Sequence, residues 1–468
     1  MGRLLFCKED VMEQILEKIN AFVWGAPALL GILGVGIYLT IRTGFSQLRL
    51  LPKAIRTFLS AFTAKGEKSG TVRPYQALCT ALAATVGTGN LAGVAGAMAI
   101  GGPGAIFWMW ICAILGMILK LAEATLAVRY RTRDEKGEIV GGPMYMIKKG
   151  LHKRWHFLAG LYCFFGVVAA FGVGSATQVN AVIGGVNQVI CAWGGRETLQ
   201  GNLIMGIMLS LTMCAILLGG MKKIGRAAES LVPFASAGYL LLGVGVLIAR
   251  SQMLPEALSA IITGAFTPRA VTGGAIGSVF TVLRIGVSRG VFTNEAGMGT
   301  AGIAHAAADV EHPVQQGLMG IVEVFLDTIV ICTMTALVIL VSGVPIPYGT
   351  DVGVTLTTQA FAAIYGDWVA VVLAAALCCF AIATVLGWGL YGARCAQFLF
   401  GTNVWRRFVY LQGIVIVIAA VLKTGTVWLL SEIVNGIMAI PNLIALLALT
   451  PELVRLLKDY RLRFCTSP

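Results

Sequence analysis

The chain has 468 residues, of which 57% are hydrophobic and only 12% charged, about half the charged share of an ordinary soluble domain. That balance excludes a water-soluble enzyme and a disordered chain, and describes segments apolar on every face, as membrane spans are. The formal charge of +13, from 35 Lys and Arg against 22 Asp and Glu, would suit a nucleic-acid partner only if it were not explained by its placement along the chain.

Apolar stretches of about 20 residues or more predict an all-α polytopic membrane protein with eleven spans, in chain order near 22–42, 75–98, 103–130, 157–190, 202–219, 226–250, 273–305, 314–343, 366–397, 404–424 and 427–449. Residues 1–21 mix Glu9, Asp10, Glu13 and Glu17 with cations and read as an amphipathic lead-in rather than a signal peptide. Assigning the connections alternately to the two sides puts 25 Lys and Arg on one side and seven on the other, with Lys120, Arg284 and Arg289 inside spans. Cytoplasmic connections carry the excess of cations, so the N-terminus is expected outside and the C-terminus in the cytoplasm, with no nucleic acid required. The eleven cysteines form no C-x-x-C pair and read as small apolar residues.

After the first span, ten remain in two runs of five. The expected organisation is residues 1–73 as lead-in, extra span and cytoplasmic loop; 74–250 as the first run; 270–449 as the second; and 450–468 as a cytoplasmic tail. Five is odd, so the second run enters the membrane from the opposite side and any repeat is inverted. The first span of each run is interrupted at a matching place. One carries Thr85-Val-Gly87-Thr88-Gly89-Asn90, the other Phe292-Thr293-Asn294-Glu295-Ala-Gly297-Met-Gly299. Glycine costs a helix roughly 1 kcal/mol against alanine, and unwound backbone at membrane depth is tolerated only where it is buried in protein or lines a cavity. Close packing of small residues accounts for Gly93 and Gly96 but poorly for Asn90, Asn294 and Glu295.

Such a break presents amide N–H groups at the start of one half-helix and carbonyls at the end of the other. The first suit a carboxylate, the second an ammonium or a sodium ion, so a small zwitterion satisfies both. Gly87 and Gly89 let the backbone come close, and Phe292 and Trp388 are available to close the cavity. For a ligand of six heavy atoms, a ceiling of roughly 1.5 kcal/mol per atom bounds binding near 9 kcal/mol. One monovalent cation crossing 100 mV supplies about 2.3 kcal/mol and a tenfold gradient about 1.4 kcal/mol, enough for roughly 500-fold accumulation. A channel or amino-acid-gated receptor is the alternative, since broken helices also line pores. No H-E-x-x-H or G-x-S-x-G motif points to an intramembrane enzyme.

The stretch Gly101-Gly-Pro-Gly-Ala-Ile-Phe-Trp108-Met-Trp110-Ile-Cys-Ala-Ile-Leu-Gly116 closely resembles the signature of the alanine/glycine-cation symporter family, the sodium:alanine symporters or amino acid carrier proteins. Gly87-Thr-Gly-Asn90, Gly141-Gly-Pro-Met-Tyr145, Asn294-Glu-Ala-Gly-Met-Gly299 and Thr384-Val-Leu-Gly-Trp388 extend the resemblance over nearly the whole chain. It implies the leucine-transporter (LeuT) type five-plus-five inverted repeat with an extra helix in front, and uptake of alanine, glycine or D-alanine driven by sodium or protons. It also implies a monomer in a bacterial or archaeal plasma membrane that needs no cofactor beyond the co-transported ion. By that resemblance Thr85, Gly87, Thr88, Gly89 and Asn90 hold the substrate carboxylate, and Gln178, Phe292 and Trp388 complete the pocket. Carbonyls of Ala83 and Val86 would share a sodium ion with Thr384 and the Phe380 carbonyl. Relatives of this fold often have adjacent hydroxyls where this chain has Ala383 before Thr384, which leaves sodium against proton open.

Among other ionisable residues, Lys120 and Glu123 are expected to pair with each other on one helix face. Of Glu323 and Asp327, one is expected to be protonated or paired with Arg284 or Arg289. His305, Asp309, Glu311 and His312 match no metal-ligand spacing, and Trp108 and Trp110 read as packing or anchoring residues.

Overall fold

The computed structural model describes residues 15–63, 72–267, 278–350, 352–422 and 425–464. The first part of the lead-in, the stretch 270–277 that opens the second run, and the end of the tail lie outside the described residues.

The first span contains α1 (Ala26–Thr43). It ends on Gly44, whose φ of 65° needs a residue without Cβ and turns its N–H back to the Ile41 carbonyl. The helix α2 (Leu51–Thr63) follows. The first run starts at α3 (Pro74–Thr85), with proline in the first turn where its missing N–H costs nothing. A π turn at Gly89–Gly93 leads into α4 (Val94–Gly101), and the two arms of this span meet at a 52° bend. Next come α5 (Gly104–Arg129), a two-stranded antiparallel hairpin of β1 (Thr132–Arg133) and β2 (Ile139–Val140), and α6 (Phe157–Phe171). A second π turn at Gly172–Ala176 joins α6 to α7 (Thr177–Ala192), and α8 (Leu199–Leu217) and α9 (Gly220–Ala249) complete the run.

A connecting helix α10 (Leu254–Phe266) precedes the second run. That run begins with α11 (Val279–Asn294), a non-helical turn and α12 (Thr300–His305). The following span is α13 (Pro313–Val324), a π segment at Phe325–Cys332 and α14 (Thr333–Ser342). After the connecting helix α15 (Thr355–Tyr365) come α16 (Val369–Phe400), α17 (Val404–Ala419) and α18 (Gly425–Ala448), then the tail helix α19 (Thr450–Phe464).

Eight helices among the described residues are long and apolar enough to cross a membrane, nine when the bent pair counts as one span, so the chain is a multi-pass membrane protein. Described helix falls within each of the eleven predicted spans, but fewer pass as membrane-crossing: α17 has only 16 residues, and the described part of the second broken span is divided into arms of 16 and six residues. The connections depart from the sequence reading: they hold the helices α2, α10 and α15 and a short helix over Pro143–Gly150, and the loop after α5 opens with the hairpin, where Asp134 Oδ1 accepts the N–H groups of Lys136 and Glu138 at 2.9 Å. Periodicity missed the helices because each is too short to register as a span.

Apolar side chains point both inward and outward. Leu211, Phe234, Leu241 and Ile248 on α8 and α9 are exposed, as a lipid-facing surface requires, while Trp388, Tyr162, Tyr239, Tyr391 and Lys120 are completely enclosed. Small residues set the closest helix approaches. A Cβ on Gly104 would stand 2.2 Å from the Gly264 backbone, which packs α5 directly on α10.

Candidate functional site

Asparagines hold both breaks open. If α3 continued, the Gly87 N–H would bond the Ala83 carbonyl; instead it donates to Asn90 Oδ1 at 2.9 Å, and Val86 has extended backbone. In the second break Asn294 Oδ1 accepts the Ala296 N–H at 3.0 Å, and Glu295, Gly297 and Gly299 all have positive φ. The two asparagine amides converge on one place, the π segment between α13 and α14. Asn90 Nδ2 donates to Asp327 Oδ1 at 2.7 Å, Asn294 Nδ2 donates to Thr328 Oγ1 at 3.1 Å, and Thr328 Oγ1 donates to Asp327 Oδ2 at 2.8 Å. A π segment shifts the backbone bonding from i→i+4 to i→i+5, a bulge frequent at functional sites.

Between the breaks lies a small cavity of about 20 Å³ lined by Ala84, Thr85, Gly87, Thr88 and Gly89 at the first break, Val173 and Gln178, Phe292 at the end of α11, Glu295 of the second break, and Thr384 and Trp388 of α16. The structure thus brings Thr85, Gly87, Thr88, Gly89, Gln178, Phe292, Thr384 and Trp388 around one space. Thr88 Oγ1 donates to Gln178 Oε1 at 3.3 Å, and Gln178 Nε2 donates to the Val173 carbonyl at 3.3 Å. Gly174 makes room for Trp388: a Cβ there would lie 2.2 Å from the tryptophan Cβ.

Asn90 stands apart from its expected role. Its side chain is spent on Gly87 and Asp327 and is absent from the cavity lining, so it shapes the break rather than facing the cavity. Phe292 is still helical; the second break begins at Glu295. Ala83 and Val86 are buried beside the first break, and Thr384 Oγ1 donates to the Phe380 carbonyl at 3.0 Å. The same hydroxyl would be 2.7 Å from a Cβ on Gly87, so break and α16 approach closely where oxygens of both could meet one ion.

The sequence reading missed Glu295 as a cavity residue. Its Oε1 accepts the Trp388 indole N–H at 2.9 Å and its Oε2 accepts the Thr300 hydroxyl at 2.6 Å. An ionisable residue inside the break was the available signal.

The buried ions pair otherwise than expected. Lys120 bonds not Glu123 but Glu323, at 2.8 Å, and His305 Nε2 lies 3.0 Å from the other Glu323 oxygen, with Gln316 on the far side of the imidazole. Glu123 instead receives the Gly297 and Gly299 N–H groups at 2.9 and 3.1 Å and Asn442 Nδ2 at 2.8 Å, fastening the second break to α5 and α18. Neighbours three apart on one helix point at different partners once the tertiary surroundings differ. Arg289 pairs with Glu432 at 3.2 Å rather than with Glu323 or Asp327, and His312 with Asp459 at 3.2 Å.

Paired broken helices around a small central cavity, within two runs of spans, are the architecture of secondary transporters of the leucine-transporter fold. The solved structures bear this out: MhsT in complex with L-phenylalanine superposes with a TM-score of 0.56 at 14% identity, over 85% of this chain and 99% of that one. A Na+-coupled sialic acid symporter in a substrate-bound outward-open state gives a TM-score of 0.56 at 14% identity, over 92% of this chain and 86% of that one.

Within that fold, the chain belongs to the sodium:alanine symporter family, which it matches over residues 9–465. It is 43% identical to an uncharacterized transporter of Haemophilus influenzae over 96% of each chain, and 42% identical to the sodium/alanine symporter AgcS of Methanococcus maripaludis over 94% of this chain and 95% of that one. A probable sodium/glutamine symporter of Bacillus subtilis, GlnT, is 37% identical over 96% of this chain and 91% of the relative.

Proposed function

We propose that the protein is a sodium-driven symporter that imports alanine, glycine or D-alanine by alternating access. The observation that carries this reading is the make-up of the cavity: backbone of both breaks, two aromatic side chains, Phe292 and Trp388, and the polar side chains of Thr85, Thr88, Gln178, Glu295 and Thr384 around one small central space. The Gly87 N–H being held by Asn90, the first-break N–H groups of Thr88 and Gly89 receive the carboxylate beside Gly87, with the Thr85 and Thr88 hydroxyls next to them. Carbonyls left by the breaks and Gln178 receive the ammonium, and Phe292 and Trp388 limit the side chain. Sodium, as cargo, takes the carbonyls of Ala83, Val86 and Phe380 with the Thr384 hydroxyl; the close approach of Thr384 to Gly87 supports that donor set. These four oxygens are all neutral, and a hard monovalent cation held by carbonyls and a hydroxyl needs no carboxylate. Sodium is favoured over a proton by the family and by the relative named a sodium/alanine symporter.

The two runs, 74–250 and 270–449, act as inverted repeats that rock about this site. Relatives from bacteria and an archaeon support residence in the plasma membrane of such a cell, and the cation count supports an external N-terminus and a cytoplasmic C-terminus. The unit of transport is the monomer, since cavity and breaks belong to one chain.

The test is uptake of labelled alanine and glycine into proteoliposomes. An inward sodium gradient is expected to drive accumulation that vanishes when the sodium and proton gradients are both collapsed. Undiminished uptake without either gradient would reject coupled transport, and conductance without saturation would favour a channel.

A further inference from the structure

Glu295 occupies a position where glycine would be the easier choice. Its φ is 53°, in the left-handed region where a Cβ crowds the backbone, and the two other positive-φ residues of the same turn, Gly297 and Gly299, are glycines. A side chain kept at such a position is one the site requires. The carboxylate is buried, and each oxygen has a different partner. One takes the indole N–H of Trp388 on α16, and the other takes the hydroxyl of Thr300, the first residue of α12.

Among the described residues the Trp388 side chain makes no other hydrogen bond. Its Cβ lies in the space that Gly174 leaves empty, and its ring meets Tyr391 edge-on at 5.9 Å. An indole can swing about its side-chain torsions inside such a slot; a hydrogen bond from its N–H to a fixed buried carboxylate selects one orientation. That orientation puts the ring into the cavity wall, and the Thr300 bond ties the carboxylate that holds it to the start of α12.

We propose that Glu295 is a positioning residue that sets substrate size: by holding the Trp388 indole across the cavity, it restricts the amino acid to a side chain of a hydrogen or a methyl group. The inference rests on reading the cavity as an amino-acid site.

Isothermal titration of the full-length protein in sodium, with L-alanine and L-leucine as the two probes, tests it. Glu295→Ala is expected to bind alanine about tenfold more weakly and leucine about tenfold more tightly than the parent, a hundredfold change in their ratio. Glu295→Gln is expected to keep the parental ratio, because the amide oxygen accepts the same indole N–H. Trp388→Phe removes the N–H while leaving Glu295 in place, and is expected to shift the ratio in the same direction; adding Glu295→Ala to it changes nothing further. Should Glu295→Ala fail to fold, Trp388→Phe carries the test alone. An unchanged ratio in Trp388→Phe, equal weakening of both ligands in Glu295→Ala, or a Gln variant that behaves like Ala would overturn the proposal. Absence of alanine and glycine binding by the parent protein would instead reject the reading of the cavity beneath it, and is seen before any variant is made.

Discussion

Replacing Lys120 by methionine removes the ammonium and keeps most of the packing volume. Lys120 Nζ and Glu323 Oε1 are 2.8 Å apart and both side chains are fully shielded from solvent. Without the lysine, Glu323 is a buried anion left with His305 as its nearest partner. Breaking a buried pair by removing one member costs roughly 3–5 kcal/mol, because the stranded charge keeps its desolvation penalty. At about 2 °C per kcal/mol for a large chain, thermal unfolding in detergent is expected to fall by roughly 6–10 °C. Removing both charges, in Lys120→Met with Glu323→Leu, strands neither, and buried pairs replaced by apolar residues of similar volume are commonly neutral or more stable. The double variant is therefore expected within a few degrees of the parent. A single variant that unfolds at the parental temperature, or a double variant whose loss equals the sum of the two singles, would refute the account, since independent sites add and coupled ones do not.

At the candidate cation site, Thr384→Val deletes the hydroxyl and is expected to raise the sodium concentration for half-maximal uptake at least tenfold, read from sodium titrations in proteoliposomes. Gly87→Ala places a methyl group within 2.7 Å of Thr384 Oγ1 and is expected to abolish uptake while the purified protein retains its elution profile and helicity. Thr88→Val removes the donor to Gln178 and is expected to weaken alanine binding about tenfold by isothermal titration, roughly the 1.4 kcal/mol of one buried hydrogen bond. In the tail, Arg455 and Arg129 hold the Glu452 carboxyl down at about 2, below its ordinary 4.5. A depressed carboxylate contributes stability above its unfolded value and loses it as the pH falls toward the folded one. The difference in melting temperature between parent and Glu452→Gln is thus expected to be constant from pH 8 to 5 and to shrink between pH 4.5 and 3; a difference that grows there would contradict the pairing.

Much of this architecture is legible along the chain because a bilayer imposes a one-dimensional rule: spans must be apolar for about 20 residues and backbone groups must be satisfied locally. Hence α5, α9 and α16 were visible as hydropathy. The two breaks were visible for the converse reason, since Gly87, Gly89, Asn90, Asn294 and Gly297 have no business in a continuous buried helix unless it is interrupted. Residues on those breaks or one face of a long helix, such as Thr88 and Trp388, followed from the same pattern and the family resemblance.

Pairing among buried polar groups was not legible, because it depends on which helices lie side by side. Asn90 and Asp327 are 237 positions apart, Lys120 and Glu323 are 203 apart, and no local spacing links either pair. Adjacency on one helix suggested Lys120 with Glu123, but burial charges so heavily for an unpaired ion that the packed fold, with a facing carboxylate on α13 and bare N–H groups in the second break, decides the partner. Hydropathy and the placement of Gly and Asn along the chain suffice to give a multi-span membrane protein with two interrupted helices. That both interruptions hang on one π segment, and that Glu295 braces the wall of the cavity they enclose, follows from how distant helices pack together.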